Sequence, residues 1–439
     1  MAAKRMRMCK RIQNINDLPD EVLTHTVSFL SIKEAVRTSI LSTRWKYLFT
    51  LLSNLDIDMD IDGKERKLFM KFVDRLLYYR DPPSILRFRF QCHRQQTSDP
   101  QGPVSLLICA APLAEGYNTR SKISDGPLSL FPCESLVILK VKKNLTQFPT
   151  TICLQHVKVL HFHAIVFPND GTEKGLLSSC PVLEDLVLYG CVFSSVCVKF
   201  DVFNQNLKRL TLACISSGER KRPVDILINA PNLIFLSYSI SSDYSLQLLD
   251  AKSLATAVLD SSSLVSDGGY DTAASDALGP IRNIQTLTVN HSVLQVLQRC
   301  EVAIPVFDQL TCLKISGWEF MLDSICLENI LARCVVLETL VFEEPSLRSK
   351  VLDDCIQYSL QNSRLDALLR HLKRIEIKLF DVQQAEALMK VMGFFLENGK
   401  VLKDLIIYSR RTHWTRASII TNQLMWFRRR SRVLFKLLK

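Results

Sequence analysis

The sequence predicts an α/β chain: a small helical unit first, then a solenoid of stacked, strand-bearing repeats, closed by a strand–helix–strand. Three observations predict it. Residues 17–49 carry apolar side chains at helical spacing between helix-capping residues. From residue 136 onward the pattern apolar–x–x–apolar–x–apolar recurs eleven times. Residues 371–408 then read as strand, helix and strand.

In the first unit Pro19 sits where a helix starts, because its ring presets φ and its missing N–H costs nothing in the first turn. Val22, Leu23, Val27 and Leu30 follow on one helical face. Ser31, with Glu34 three residues on, makes a capping box that opens a second helix bearing Ala35, Val36, Ile40 and Leu41. Ser42 is placed to cap a third turn with Trp45, Leu48 and Phe49. So short a segment cannot bury that much apolar surface alone. It either packs on the rest of the chain or docks a partner, and Trp and Arg are favoured at interface hot spots.

The residues themselves, LPDEVL, SFL and AVRTSILSTRWKYLF, resemble the F-box motif, particularly its plant version with a VRTS-LS-RW block. That resemblance implies three helices that bind a Skp-type adaptor and, through it, a cullin–RING ubiquitin ligase. Carried over position by position, it places adaptor contacts at Leu18, Pro19, Leu23, Leu30, Val36, Leu41, Arg44, Trp45 and Leu48. The chain departs from the motif at Thr26 (usually Ile), at Ser31-Ile32 (usually Pro-Thr) and at Thr43 (usually a base). Thr26 is expected to weaken adaptor binding without abolishing it.

At 439 residues two or more units or a repeat array are expected rather than one core. The net charge of +11 resides in the ends: five bases and no acid in 1–11, and seven Arg with two Lys and no acid in 405–439. The body is left at 11 − 5 − 9 = −3. A chain charged in this way presents no basic groove, and no nucleic-acid partner is expected. Fourteen scattered cysteines include no CxxC pair and no zinc spacing. Reduced thiols in the nucleus or cytoplasm are expected, many of them serving as small core hydrophobes. No apolar run follows the basic start, so no secretory leader is expected. None approaches the roughly 18–20 residues that span a bilayer, so integral membrane association is not expected either.

The chain divides into a basic, disordered 1–13, the F-box-like 14–52, a repeat region 53–368, a cap 369–408 and a basic tail 409–439. After the helices, 51–61 reads as a helix end and a strand, 67–80 as an amphipathic helix, and Ile85, Phe88 and Phe90 as another strand. Residues 91–131 carry Pro/Gly-rich pieces and a faint strand near VSLLIC. The repeats run from Leu136/Leu139/Val141 to Leu402/Leu405/Ile407, in steps of 21–35 residues. A strand alternates its faces, so the last two apolar positions of each copy point into the core. Each unit must stack on its neighbours, and the period is that of leucine-rich repeats, which coil into a horseshoe lined by a parallel sheet.

SCPVLEDLVLYGC (179–191) and NAPNLIFLSYS (229–239) resemble the irregular repeats of plant F-box proteins. LKRIEIK followed by FLENGKVLKDLII looks like the FBD module of that family and is expected to cap the array. Asp381 is placed to cap its helix, Ala385, Leu388, Met392, Phe395 and Leu396 form the buried stripe, and Gly399 ends it. The Ser/Asp/Gly-rich stretch 260–280 reads as a solvated loop. The tail after Tyr408 is compatible with a membrane-surface helix, a nuclear-import signal, a packed terminal helix or a tail of unusual composition.

No phosphate cradle, GxSxG elbow or HExxH is present. His156, His161 and His163 lack further ligands for a metal, and Glu343-Glu344 and Asp353-Asp354 read as solvated carboxylates. A non-enzyme with no cofactor and no metal is therefore expected, and the sheet's outward lane remains as a surface. Lys140, Lys142, His161, His163, Tyr189, Thr211, Lys314 and Glu343 belong to that lane. Their mixed chemistry suits a protein target. The resemblance implies a substrate-recognition subunit of a Skp–cullin–F-box ligase whose target is unknown. The alternatives are a repeat scaffold or decoy with a drifted F-box, and a nuclear or membrane-associated factor using its basic tail.

Overall fold

The computed structural model describes residues 15–60, 72, 76–77, 85–93, 134–142, 152–167, 176–193, 199–216, 223–241, 244–250, 252–261, 278–299, 304–316, 325–343, 362–379, 385–409 and 432–437. They fall into two compact units, one of residues 1–105, 116–166 and 175–183, the other of 106–115, 167–174 and 184–439.

The first unit opens with helices α1 (Asp20–Val27) and α2 (Ile32–Arg37). Ser31 caps α2 with both arms of the expected box: its Oγ accepts from Glu34 N and its N–H donates to Glu34 Oε2 at 3.0 Å. Where a third α-helix was expected there are tighter 3₁₀ turns, Thr38–Ile40 and Trp45–Leu51. Ser42 contributes its carbonyl, which accepts Trp45 N at 3.1 Å, rather than its hydroxyl. Four parallel strands follow in sequence order: β1 (Asn54–Asp60), β2 (Arg87–His93), β3 (Ile138–Lys142) and β4 (Val159–His163). Helix α2 packs against β1.

The array therefore starts earlier than residue 136. Leu52/Leu55/Ile57 and Ile85/Phe88/Phe90 fill the same three buried positions as the later copies. Their register with β3 is continuous, Leu55 beside Phe88 beside Leu139.

In the second unit, ten parallel strands follow one another in one sheet. They are β6 (Asp185–Tyr189), β9 (Arg209–Ala213), β11 (Phe235–Ser239), β13 (Thr256–Asp260), β14 (Thr286–Asn290), β15 (Cys312–Ser316), β16 (Thr339–Phe342), β17 (Arg374–Leu379), β18 (Asp404–Ser409) and β19 (Arg432–Leu437). Between the early ones the chain returns through a second parallel sheet of β8 (Lys199–Phe203), β10 (Val224–Asn229) and β12 (Tyr244–Asp250). Beside it, Phe167 of the two-residue strand β5 (Val166–Phe167) stacks at 4.8 Å on Phe193 of β7 (Val192–Phe193). Later turns return through helices α3 (His291–Arg299), α4 (Ile325–Leu331), α5 (Asn362–Leu369) and α6 (Ala385–Asn398). A helix advances about 1.5 Å per residue against about 3.3 Å for a strand, so helical returns need more residues. That is the physical origin of the lengthening steps.

One backbone device recurs at strand entries in both units. Two consecutive N–H groups donate to a single carbonyl of the preceding turn, at 2.8–3.2 Å. Leu86 and Arg87 bond Ser53 O, Val137 and Ile138 bond Leu86 O, and so on to Lys403 and Asp404 on Lys373 O. At the other end of the strands the chain turns through left-handed residues, Ala164 (φ 54°), Gly190 (62°) and Cys214 (53°). Each lies two residues past the last inward side chain and before a buried one, Ile165, Cys191 or Ile215.

Two expectations about the C-terminal part are corrected. The strand–helix–strand β17–α6–β18 exists, with Met392, Phe395 and Leu396 buried, but it does not end the sheet. Part of the tail, Arg432–Leu437, forms β19 in parallel register with β18, Leu405 beside Val433 and Ile407 beside Phe435. It is a strand rather than a terminal helix, in keeping with the Val and Phe of R-V-L-F-K-L, which favour strands. Gly399 is required by space: a Cβ there would lie 2.6 Å from Phe395 O and 3.1 Å from Leu402 Cβ. Residues 1–13, the strand near VSLLIC, most of 67–80 and of 260–280, Asp381, Asp353-Asp354 and 410–431 lie outside the described residues.

Candidate partner-docking surfaces

The helical unit sorts the predicted adaptor contacts into two groups. Leu23, Trp45 and Leu48 are buried in the unit's own core, Trp45 at 4% exposure. Trp45 Nε1 donates to Asn16 Oδ1 at 2.7 Å. These three, expected from the motif as adaptor contacts, lie inside the unit and hold its shape.

Arg44 is likewise engaged within the chain. Its Nε donates to Asp20 Oδ1 at 2.9 Å, its Nη2 to Leu18 O at 2.5 Å, and its Nη1 to Asn16 O. Arg44 and Trp45 thus staple the segment entering α1 onto the turns that follow α2. Leu18 and Val36 are half-buried and Pro19 is exposed.

The exposed group is larger than the motif implies. Leu30 and Leu41 face solvent, and so do Ile15, Val22, Phe29, Ile40, Tyr47 and Leu51. Phe29 is 77% exposed, Ile40 86% and Leu41 63%. Of fourteen exposed large hydrophobic side chains among the described residues, eight lie within 15–51. Scattered exposed apolar residues are ordinary, but a concentration in one small unit marks an interaction surface. Ile40, read from sequence as part of the second helix's apolar set, faces solvent, and Phe29, Tyr47 and Leu51 were missed from sequence. The available signal was that each is apolar yet stands off the stripe that the helices bury. Thr26 is exposed, its Oγ1 bonded back to Val22 O at 2.8 Å, and so fills no core position.

The second surface is the outward face of the sheets. In the first unit the register sets Asp56, Arg89, Lys140 and His161 side by side on β1 to β4, with Asp58, Gln91, Lys142 and His163 two residues further along. Arg89 Nη1 lies 3.1 Å from Asp56 Oδ2. Burial is the main cause that holds His163 down at about 4, and the charges of His161, Lys142 and Lys140 add to it. His163 is therefore neutral at physiological pH.

In the second unit the outward row is Val187, Thr211, Ser237, Val258, Thr288, Lys314, Val341, Glu376 and Ile406, with Tyr189 beside Ala213. Val341 and Ile406 are covered, whereas Tyr189, Thr211, Lys314 and Glu343 are half-buried. Glu343 Oε1 sits 3.5 Å from Lys378 Nζ. Among the described residues no group of three or more His, Cys, Asp or Glu could hold a metal ion.

Comparison with known families agrees with this geometry. The F-box domain family matches residues 15–56, and the LRR domain described as At1g61320/AtMIF1 matches residues 134–432. F-box/LRR-repeat protein At3g59210 of Arabidopsis thaliana is 31% identical over 437 residues, which cover 90% of this chain and 87% of the relative. F-box/LRR-repeat protein At3g59200 of the same plant is 31% identical over 90% of this chain and 82% of its own length. Putative F-box/FBD/LRR-repeat protein At3g59240 is 29% identical over 91% and 84%. With a helical unit bearing the F-box residues, parallel repeat strands behind it and likeness to these relatives along nearly its whole length, the chain belongs to the plant F-box/LRR-repeat family.

Proposed function

We propose that this chain is a non-catalytic substrate-recognition subunit of a Skp–cullin–F-box ubiquitin ligase. The F-box binds the Skp-type adaptor, the repeats bind a target protein, and other subunits transfer ubiquitin. The observation that carries this reading is the crowding of exposed apolar side chains into residues 15–51. Leu30 and Leu41 are the motif positions that remain accessible to an adaptor, with Phe29 and Ile40 beside them in sequence. The chain's contribution to rate is proximity, since a tethered target meets the transfer machinery at raised effective concentration. Residues 371–408 correspond to the FBD module on this reading. The nucleus or cytoplasm is the compartment, supported by the unbridged thiol of Cys334 in the core.

The test is a pull-down with a Skp-type adaptor. Wild type should bind, and Leu30→Ala with Leu41→Ala should lose most of the binding, because hot-spot truncations cost about 2 kcal/mol or more each. An adaptor that ignores the wild-type chain overturns the ligase role.

A further inference from the structure

The register of β1 to β4 assembles a surface that the sequence does not display. The strand now recognised as β2 brings Arg87 and Arg89 next to β3, so these two and Lys140 and Lys142 project from one outward face. On β1, Asp56 is engaged by Arg89, and Asp58 is in register with Gln91, one strand away from Lys142. Among the described residues neither Lys140 nor Lys142 has a carboxylate within 4 Å. The second unit is built differently: Arg209 is 2.8 Å from Asp185, Arg374 is 3.7 Å from Asp404, and Lys378 is 3.5 Å from Glu343. Those three cations have a carboxylate neighbour within the sheet, which the two half-buried lysines of β3 lack among the described residues. Burial first, then His161, and only then Lys142 and Lys140 hold His163 down, so the two lysines lie close enough to act on its ring.

We infer that the outward face of β2–β4 binds an extended, anion-bearing segment of the target protein, with Lys140 and Lys142 as its principal contacts and Arg87 and Arg89 flanking them. The inference rests on the substrate-receptor reading and names the class of target for it. Side chains two apart on a strand are about 6.6 Å apart, and an extended peptide repeats its own side chains on one face at the same interval. A peptide with carboxylates or phosphates at alternate positions therefore meets both lysines at once. Nucleic acid fits less well, since no Phe, Tyr or Trp stands among these outward residues to stack a base.

The test uses the full-length chain and four probes in fluorescence anisotropy: a peptide with alternating Glu and Thr, its phosphoserine counterpart, its Gln counterpart, and inorganic phosphate as competitor. One or both anionic peptides should bind, more weakly at high salt, and K140Q/K142Q should weaken them at least about tenfold. The stronger of the two tells carboxylate from phosphate recognition. Lys252→Gln, on the other unit and outside the outward rows, should leave binding unchanged. Equal binding of the Gln peptide, full competition by phosphate alone, or unaltered affinity in K140Q/K142Q overturns the inference. The same preparations are tested for adaptor binding. Adaptor capture without peptide binding sinks only this inference, and peptide binding without adaptor capture sinks the ligase reading instead.

Discussion

Replacing Trp45 by alanine separates holding the helical unit together from docking a partner. The indole is almost fully buried and its Nε1–H is bonded to Asn16 Oδ1. Truncating a buried aromatic to alanine costs about 3–5 kcal/mol. The lost hydrogen bond adds about 1 kcal/mol. A loss of about 4–6 kcal/mol is comparable to the whole stability of a small unit, so residues 15–51 should lose their fixed structure. The contrasting variant is Ile40→Ala with Leu41→Ala, at side chains 86% and 63% exposed. Surface changes of this kind stay within about 0.5 kcal/mol of wild-type stability. If these side chains are the docking surface, adaptor affinity still falls by about 2 kcal/mol, roughly thirtyfold. Hydrogen exchange over α1 and α2, read beside an adaptor titration, measures both quantities. Trp45→Ala should abolish protection and binding together, and the Ile40/Leu41 variant should lose binding alone. Full protection in Trp45→Ala with binding lost would refute the assignment of Trp45 to the core.

Other parts of the molecule make equally definite forecasts. Gly190→Ala forces a Cβ into a left-handed turn and should lower stability by about 1 kcal/mol in thermal melts, while Cys214→Gly at the matching position should be neutral or stabilising. Ser31→Ala removes the α2 cap and should cost about 1 kcal/mol, seen as faster exchange in α2. The hydrogen bonds from Ser31 hold the Glu34 carboxyl below its ordinary value of 4.5. A depressed carboxyl stabilises the fold above its unfolded pKa, so circular dichroism should show α2 weakening as pH falls through the lower folded value. Burial pushes the thiols of Cys180 and Cys334 up to about 12, so a disulfide reagent should modify the half-exposed Cys153 first and reach these two only on unfolding.

How much of this was legible in the sequence depended on whether the signal was local. The Ser31–Glu34 box lies within four residues and reads directly. The eleven copies from Leu136 to Ile407 all became strands, because each carries its own three inward positions in one short stretch. The copies at Leu52 and Ile85 read as strands but not as repeats. Their spacing is masked by long intervening segments, 33 residues from Leu55 to Phe88 and 51 from Phe88 to Leu139, and register is a property of pairing rather than of spacing. β19 was concealed because Arg432 and Lys436 bracket its apolar Val433, Leu434 and Phe435 in a stretch that reads as a basic tail. Trp45 shows the harder limit. Core and docking residues in this unit are drawn from the same apolar set, and only the partner across the fold, Asn16 at 2.7 Å, tells them apart.

The F-box residues and the cationic face of β2–β4 lie in one compact unit, and the link between them is packed rather than tethered. Helix α2 rests on β1, and Leu52 and Leu55 are buried where the helical turns become the first strand. From there the paired N–H groups of Leu86/Arg87 and of Val137/Ile138 lock each strand to the turn before it. A segment held on Lys140 and Lys142 is therefore placed at a fixed distance from whatever Leu30 and Leu41 engage. Rigid placement contributes more to transfer than flexible tethering, because less orientational freedom remains to be lost when the reacting groups meet. Inserting glycines between Leu51 and Asn54 tests this directly. Adaptor and peptide affinities should each persist while transfer of ubiquitin to a bound target falls, and undiminished transfer would show that proximity alone suffices.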